Sequence, residues 1–102
     1  MDLLEPTAVR DLSARQLACV EATVVALTYP APQASPQVVA HLRDATGTLL
    51  VTWMGRTQVP GVNVGDDIRV QAVVAIRQGR ATMLNPRYRL VRTAQSKGND
   101  DA

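Results

Sequence analysis

The chain has no Phe, one Trp and two Tyr in 102 residues. A core without many large rings must be assembled from Val, Leu, Ile, Ala and Met, and such β-branched-rich sets pack best on the pleated surface of strands. Cys19 is the only cysteine and His41 the only histidine. A disulfide needs two thiols and a structural zinc about four Cys or His ligands, so one copy of the chain supplies neither. No metal and no cofactor are expected. No run approaches the ~20 apolar residues of a membrane-spanning helix. The start, MDLLEPTAVRD, lacks the basic segment and apolar stretch of a signal peptide. A cytoplasmic protein without membrane association is therefore expected. Paired carboxylates, a Ser/His/Asp set and a glycine loop for phosphate are also missing, and Asp66-Asp67 reads as the polar entry to a strand. An enzyme is not expected.

What is present fits one small folded domain. Hydrophobic residues make up 46% of the chain, which argues against general disorder. The net charge of +2 hides a polarity along the chain. Residues 69–97 hold Arg69, Arg77, Arg80, Arg87, Arg89, Arg92 and Lys97 with no Asp or Glu, while the remainder is acidic. Such a run is what an anionic partner such as nucleic acid requires, although exposed arginines also keep a small Val-rich barrel soluble.

Residues 3–12, LLEPTAVRDL, predict a short helix opened by Pro6 or Thr7, with Ala8, Val9 and Leu12 as its apolar stripe. Five strand-like runs follow. In Leu17–Tyr29, Ala18, Val20, Ala22 and Val24 alternate inward, then the phase slips so that Leu27 faces in, the mark of a β-bulge. Three prolines, Pro30, Pro32 and Pro36, make a loop. Gln37–Arg43 and Thr48–Trp53 form a hairpin about Asp44-Ala-Thr-Gly47, with Asp44 bonding its own backbone and Gly47 expected at positive φ. Residues 54–67 are broken by Gly55, Pro60, Gly61 and Gly65. Ile68–Ile76 gives five matches to the two-residue period, ending on Ile76, and Gln78-Gly79 turns it into a fifth strand, Arg80–Arg92, interrupted at Asn85-Pro86. Five strands with a bent first one fit a small closed barrel better than an open sheet. The domain is expected over 1–93, with a helical extension at 1–14, a barrel at 15–93 and a disordered tail at 94–102.

Two stretches carry a family likeness. DATGTLLVTW (44–53) resembles the hairpin joining the second and third strands of many bacterial OB-folds. MGRTQVPGVNVGDDIRVQAVV, followed by QGRATMLNPRYRL, resembles the pattern of small stand-alone OB-fold nucleic-acid-binding proteins of high-GC bacteria. More loosely, it resembles the wedge domain of the branched-DNA helicase RecG. Ala22 and Ala72 depart from the pattern, standing where relatives usually have Gly. The resemblance implies an all-β, five-stranded OB-fold Greek-key barrel that binds single-stranded or branched DNA, in preference to RNA, with low sequence specificity. The motor domains of the helicase have no counterpart here, so binding and not unwinding is implied.

OB-folds usually bind single strands across the outer face of strands two and three and the loops beside it. By alternation that face carries Gln37, Val39, His41 and Arg43, with Thr48, Leu50 and Thr52 opposite. The candidate nucleic-acid contacts are Arg43, Arg69, Arg77, Arg80, Arg87 and Arg89 for phosphate, Tyr29 for stacking and His41 for a hydrogen bond to a base. Trp53 is expected in the core and Tyr88 beside Pro86 closing the barrel. Val39 and Leu50 form an outward apolar pair, which suits cover by the N-terminal helix, a protein partner or a second copy of the chain as the competing reading.

Overall fold

The computed structural model describes residues 3–29 and 31–94. Six strands occur there: β1 (Leu17–Thr28), β2 (Gln37–Asp44), β3 (Gly47–Met54), β4 (Asp67–Arg77), β5 (Arg80–Leu84) and β6 (Arg87–Arg92). They form one sheet in the order β1-β2-β3-β5-β4-β6, and a further pairing of β1 with β4 closes it into a barrel. All neighbours are antiparallel except β3 and β5. β5 and β6 are the two halves of the expected fifth strand. Both lie against β4, and the pairing shifts by one residue between Val74↔Met83 and Gln71↔Arg87. Asn85, at φ 49°, makes that kink.

The inward set is the one the alternation predicts for β1 to β3. Ala18, Val20, Ala22 and Val24 are buried, as are Val38, Ala40 and Leu42 across from Leu49, Val51 and Trp53. The β1 bulge falls between Val24 and Ala26, where the strand leaves β4 for β2. It turns Leu27 back toward the core. At this bend the loop before β4 completes the backbone pairing: Gly65 N–H donates to the Val24 carbonyl and Val24 N–H to the Asp66 carbonyl, each at 2.8 Å. Val59 and Val62 of the same loop are buried against the core. Asp66 is 2% exposed, and its carboxylate accepts the N–H groups of Asn63 and Ala94.

Three expectations need correction. Ile76 is 44% exposed, because β4 has passed the barrel rim there and turns at Gln78-Gly79. The N-terminal extension contains only a 3-10 turn, Val9–Asp11, in place of a helix over 3–12. One short amphipathic turn cannot offset the cost of helix nucleation, and the segment is held extended instead. Pro6 bridges Cys19, Thr7 N–H donates to the Cys19 carbonyl, and Leu4 N–H donates to Gln71 Oε1. The segment thus follows β1 and β4 and leaves Val39 and Leu50 uncovered. Gly47 does not have positive φ. Its smallness serves a close approach, since a Cβ there would lie 3.3 Å from Val9 Cγ1. The expected tail lies, beyond Ala94, outside the described residues.

Candidate nucleic-acid interface

Side chains on one face of a sheet stand in rows across the strands. On the outer face of β2, β3, β5 and β4, register places three such rows side by side. The first contains Arg43 opposite Thr48, and Arg80 opposite Arg77. The parallel register of β3 with β5, Leu50↔Thr82 and Thr52↔Leu84, brings Arg80 level with Thr48, so the four residues line up. The second row is His41, Leu50, Thr82 and Ala75. The third is Val39, Thr52 and Leu84, with Val73 following on β4. The face therefore grades from basic at the β4–β5 turn to apolar at the opposite end.

The apolar part is a groove of about 430 Å³ lined by Leu50, Met54, Val73, Ala75, Thr82 and Leu84, with Arg77 at its end. Val73 is 57% and Leu84 59% exposed, and these are large apolar groups left in contact with water. On the other side of Arg80 lies an end pocket of about 500 Å³. Val9, Leu12, Ile76 and Ala81 line it, with Arg10 and Arg80 at its polar margin.

The basic row holds uncompensated charge. Arg77 and Arg80 face each other directly, and like charges so placed repel. The ion pairs of Arg10 with Asp11 and Arg69 with Glu21 lie outside this row. A bound anion would relieve the repulsion. The turn beside the row is rigid. Asp44 Oδ1 accepts Thr46 N–H at 2.7 Å, Thr46 Oγ1–H at 2.6 Å and Gly47 N–H at 3.0 Å, while Oδ2 accepts Val9 N–H at 2.9 Å. Burial alone would raise the Asp44 pKa, but these hydrogen bonds outweigh it and hold the carboxyl below the ordinary carboxylate range. Gln78 and Gly79, both at positive φ, give the β4–β5 hairpin the type I′ geometry of a two-residue turn, which presents Arg77 and Arg80 together.

The structure divides the eight residues expected to contact nucleic acid. Arg43, Arg77 and Arg80 share the basic row, and His41 is half-buried in the row beside them. Tyr29 is exposed just past β1, near the apolar end. Arg69, Arg87 and Arg89 lie elsewhere, on the sheet formed by β1, β4 and β6, where Glu21, Arg69 and Arg89 make one row. Arg69 Nε donates to Glu21 Oε1 at 2.8 Å. Met54, Val73 and Leu84 were not among the candidates. Val73 and Leu84 alternate outward in their strands, which is the only signal the sequence offers for them.

The two remaining aromatics are structural. Trp53 is buried, donates Nε1–H to the Pro86 carbonyl at 3.2 Å, and meets Tyr88 edge-on with centroids 5.5 Å apart. Tyr88 donates its hydroxyl to the Pro60 carbonyl at 3.1 Å. Cys19 is buried beneath the N-terminal segment, and burial pushes its thiol pKa up, away from the reactive thiolate. No group of three or more His, Cys, Asp or Glu among the described residues could hold a metal ion. No helix among them is long and apolar enough to cross a membrane.

The closed barrel, with β3 parallel to β5 and β1 joined to both β2 and β4, is an OB-fold. Solved structures share it. A domain of replication protein A from Methanococcus maripaludis matches with a TM-score of 0.72 at 19% identity, over 88% of this chain and 99% of that one. The OB domain of a Methanosarcina mazei protein matches at 0.63 and 19%, over 84% and 82%. A replication protein A heterotrimer bound to single-stranded DNA matches at 0.59 and 18%, over 78% of this chain and 60% of that one. At these identities the likeness is one of fold. No family model and no curated protein matches the chain.

Proposed function

We propose that the chain is a non-catalytic module that binds single-stranded nucleic acid with low sequence specificity, DNA ahead of RNA. The observation that carries this is the alignment of Arg43, Arg80 and Arg77 in one row beside an apolar groove. Phosphates lie along the arginines and release counterions, while bases rest on Leu50, Met54, Leu84 and Val73, with Tyr29 beyond them. Aliphatic side chains give bases less contact than aromatic rings, so affinity is modest and mostly electrostatic. Three further points support the reading. The row has no carboxylate partner among the described residues, one of the solved OB-folds is described with single-stranded DNA, and the loose resemblance of the sequence motifs to the RecG wedge domain suits single-stranded or branched DNA.

The test is titration of labelled single-stranded oligonucleotides at two salt concentrations. Three phosphate contacts predict that log K falls with log salt at a slope of about −2. Absence of binding at low salt, or binding indifferent to salt, overturns the reading. The competing reading, a protein partner or a second copy on the Val39–Leu50 face, is favoured by the exposed apolar groove. Arg77→Glu with Arg80→Glu separates the two, since it weakens oligonucleotide binding about a hundredfold and spares an apolar protein contact.

A further inference from the structure

We propose that the outer edge of β6 is a docking site for an extended acidic peptide, which adds to the sheet as a further strand. The first observation concerns the backbone. β5 is held on one side by β4 and on the other by β3, but the chain leaves β3 at Asn85. There Asn85 N–H donates to the Thr52 carbonyl and its side chain accepts Met54 N–H, which end the pairing. From Arg87 onward β4 is the one neighbour among the described residues, and β6 is the last strand in the sheet order. A strand so placed presents a row of N–H and C=O groups ready to pair with another main chain.

The second observation is charge. The row across the sheet runs Glu21, Arg69, Arg89, and it ends among the described residues on the exposed Arg89. It holds two cations and one carboxylate, and that carboxylate is hydrogen-bonded to Arg69. Arg89 stands directly opposite Arg69, a repulsive placement. The next position in the row belongs to whatever strand is added, and a carboxylate there completes the pairing. Two residues earlier, Arg87 stands exposed opposite the neutral Gln71, and a pocket of about 290 Å³ lined by Leu3, Arg87, Tyr88 and Arg89 adjoins both arginines.

The rows on either side of Arg89 are apolar, Val70 with Tyr88 and Ile68 with Leu90. The strand that fits therefore alternates acidic with apolar side chains, the acidic ones beside Arg87 and Arg89. A second β6 does not fit, because it would bring arginines toward arginines. Nucleic acid fits less well than a peptide. It has no main chain to use the open edge, and Glu21 lies in the same row.

The full chain is titrated with a labelled short peptide of alternating Glu and Val. The comparison peptides are one of alternating Lys and Val, and the Glu-Val peptide N-methylated on every second residue. Binding of the first alone, weakened at least about tenfold by Arg87→Glu with Arg89→Glu, supports the site. Absence of binding at low salt overturns it. So does binding unchanged by N-methylation, which would be charge alone. Oligonucleotide binding lost with Arg87→Glu and Arg89→Glu would make the edge part of a nucleic-acid surface, and that too overturns it. The N-methylated peptide is read on the unaltered chain, so the outcome does not depend on the variant folding. Failure here leaves the Arg43–Arg80–Arg77 row untouched, whose own variants are read with oligonucleotides.

Discussion

Two faces of the barrel each carry a set of arginines, yet in different settings. On the β2–β3–β5–β4 face, Arg43, Arg80 and Arg77 form a row beside an apolar groove, with no carboxylate in reach among the described residues. On the β1–β4–β6 sheet, Arg69 is tied to Glu21, and Arg87 and Arg89 line an open strand edge. Five of these six cations come from the single acid-free run 69–97. They part because β4 and the fifth strand form one long hairpin. Arg77 and Arg80 sit at its turn, while Arg69 lies eight residues back along β4, roughly 26 Å away at the rise of a strand. Charge counted along a sequence says how many anions a chain can meet. The register of a hairpin decides whether they are met together.

The largest effect should come from breaking the kink that separates the two faces. Trp53→Ala empties a core site and frees the Pro86 carbonyl, at a cost of about 3–5 kcal/mol. Urea denaturation should show that loss, with both ligands affected in parallel. A change in one ligand alone would mean that the kink does not couple the faces. Next in size, Arg77→Glu with Arg80→Glu should weaken oligonucleotide binding about a hundredfold, which is about 2.7 kcal/mol. Arg87→Glu with Arg89→Glu should leave it within about threefold. The salt slope should fall by about 1.4 in the neutral variant Arg77→Gln/Arg80→Gln. Equal losses from both pairs would dissolve the distinction between the faces.

The elements of this fold are largely legible in the sequence because alternation and turn chemistry are local. Val20, Val38, Val51 and Val70 announce their strands, the phase slip at Val24–Leu27 announces the bulge, and Asn85-Pro86 announces the break. Ile76 misleads because the two-residue period continues past the point where the barrel interior ends. The N-terminal segment misleads because its fate is set by long-range bonds from Cys19 and Gln71, not by its own propensity. The site is less legible than the fold. The row of Arg43, Arg80 and Arg77 depends on the parallel register of β3 with β5, which no local pattern encodes. The open edge of β6 depends on where the fifth strand abandons β3.

A smaller effect tests the rigidity of the basic face. Asp44 holds the β2–β3 turn and the Val9 backbone through the hydrogen bonds that depress its pKa. A depressed carboxyl contributes stability that is fully present above its unfolded pKa of about 3.9 and is lost as pH falls through the lower folded value. Asp44→Asn should therefore cost about 1–3 kcal/mol at neutral pH. It should also flatten the decline of stability below about pH 4 relative to the unaltered chain. Denaturation curves between acid and neutral pH check both. A variant whose stability still falls as steeply in acid would assign that decline to other carboxylates.

The smallest effect contrasts the turn of the long hairpin with the kink in its second strand. Gln78 and Asn85 both lie in the left-handed region, at φ 53° and 49°. Among the described residues nothing bonds the Gln78 side chain to favour it there, and a Cβ in that region costs about 1–2 kcal/mol. Gln78→Gly removes that strain, but it also gives the unfolded chain about 0.4–1 kcal/mol of extra freedom. The net change should lie within about 0.5 kcal/mol of zero. Asn85 has the same backbone, yet its side chain accepts Met54 N–H at 2.7 Å. Asn85→Gly should forfeit that bond and destabilise by about 1 kcal/mol. Oligonucleotide affinity should survive Gln78→Gly because the turn keeps its shape. Peptide binding should drop with Asn85→Gly, because the kink there is what frees the edge of β6. The reverse pattern would show that the hairpin turn, and not the kink, sets the geometry of both faces.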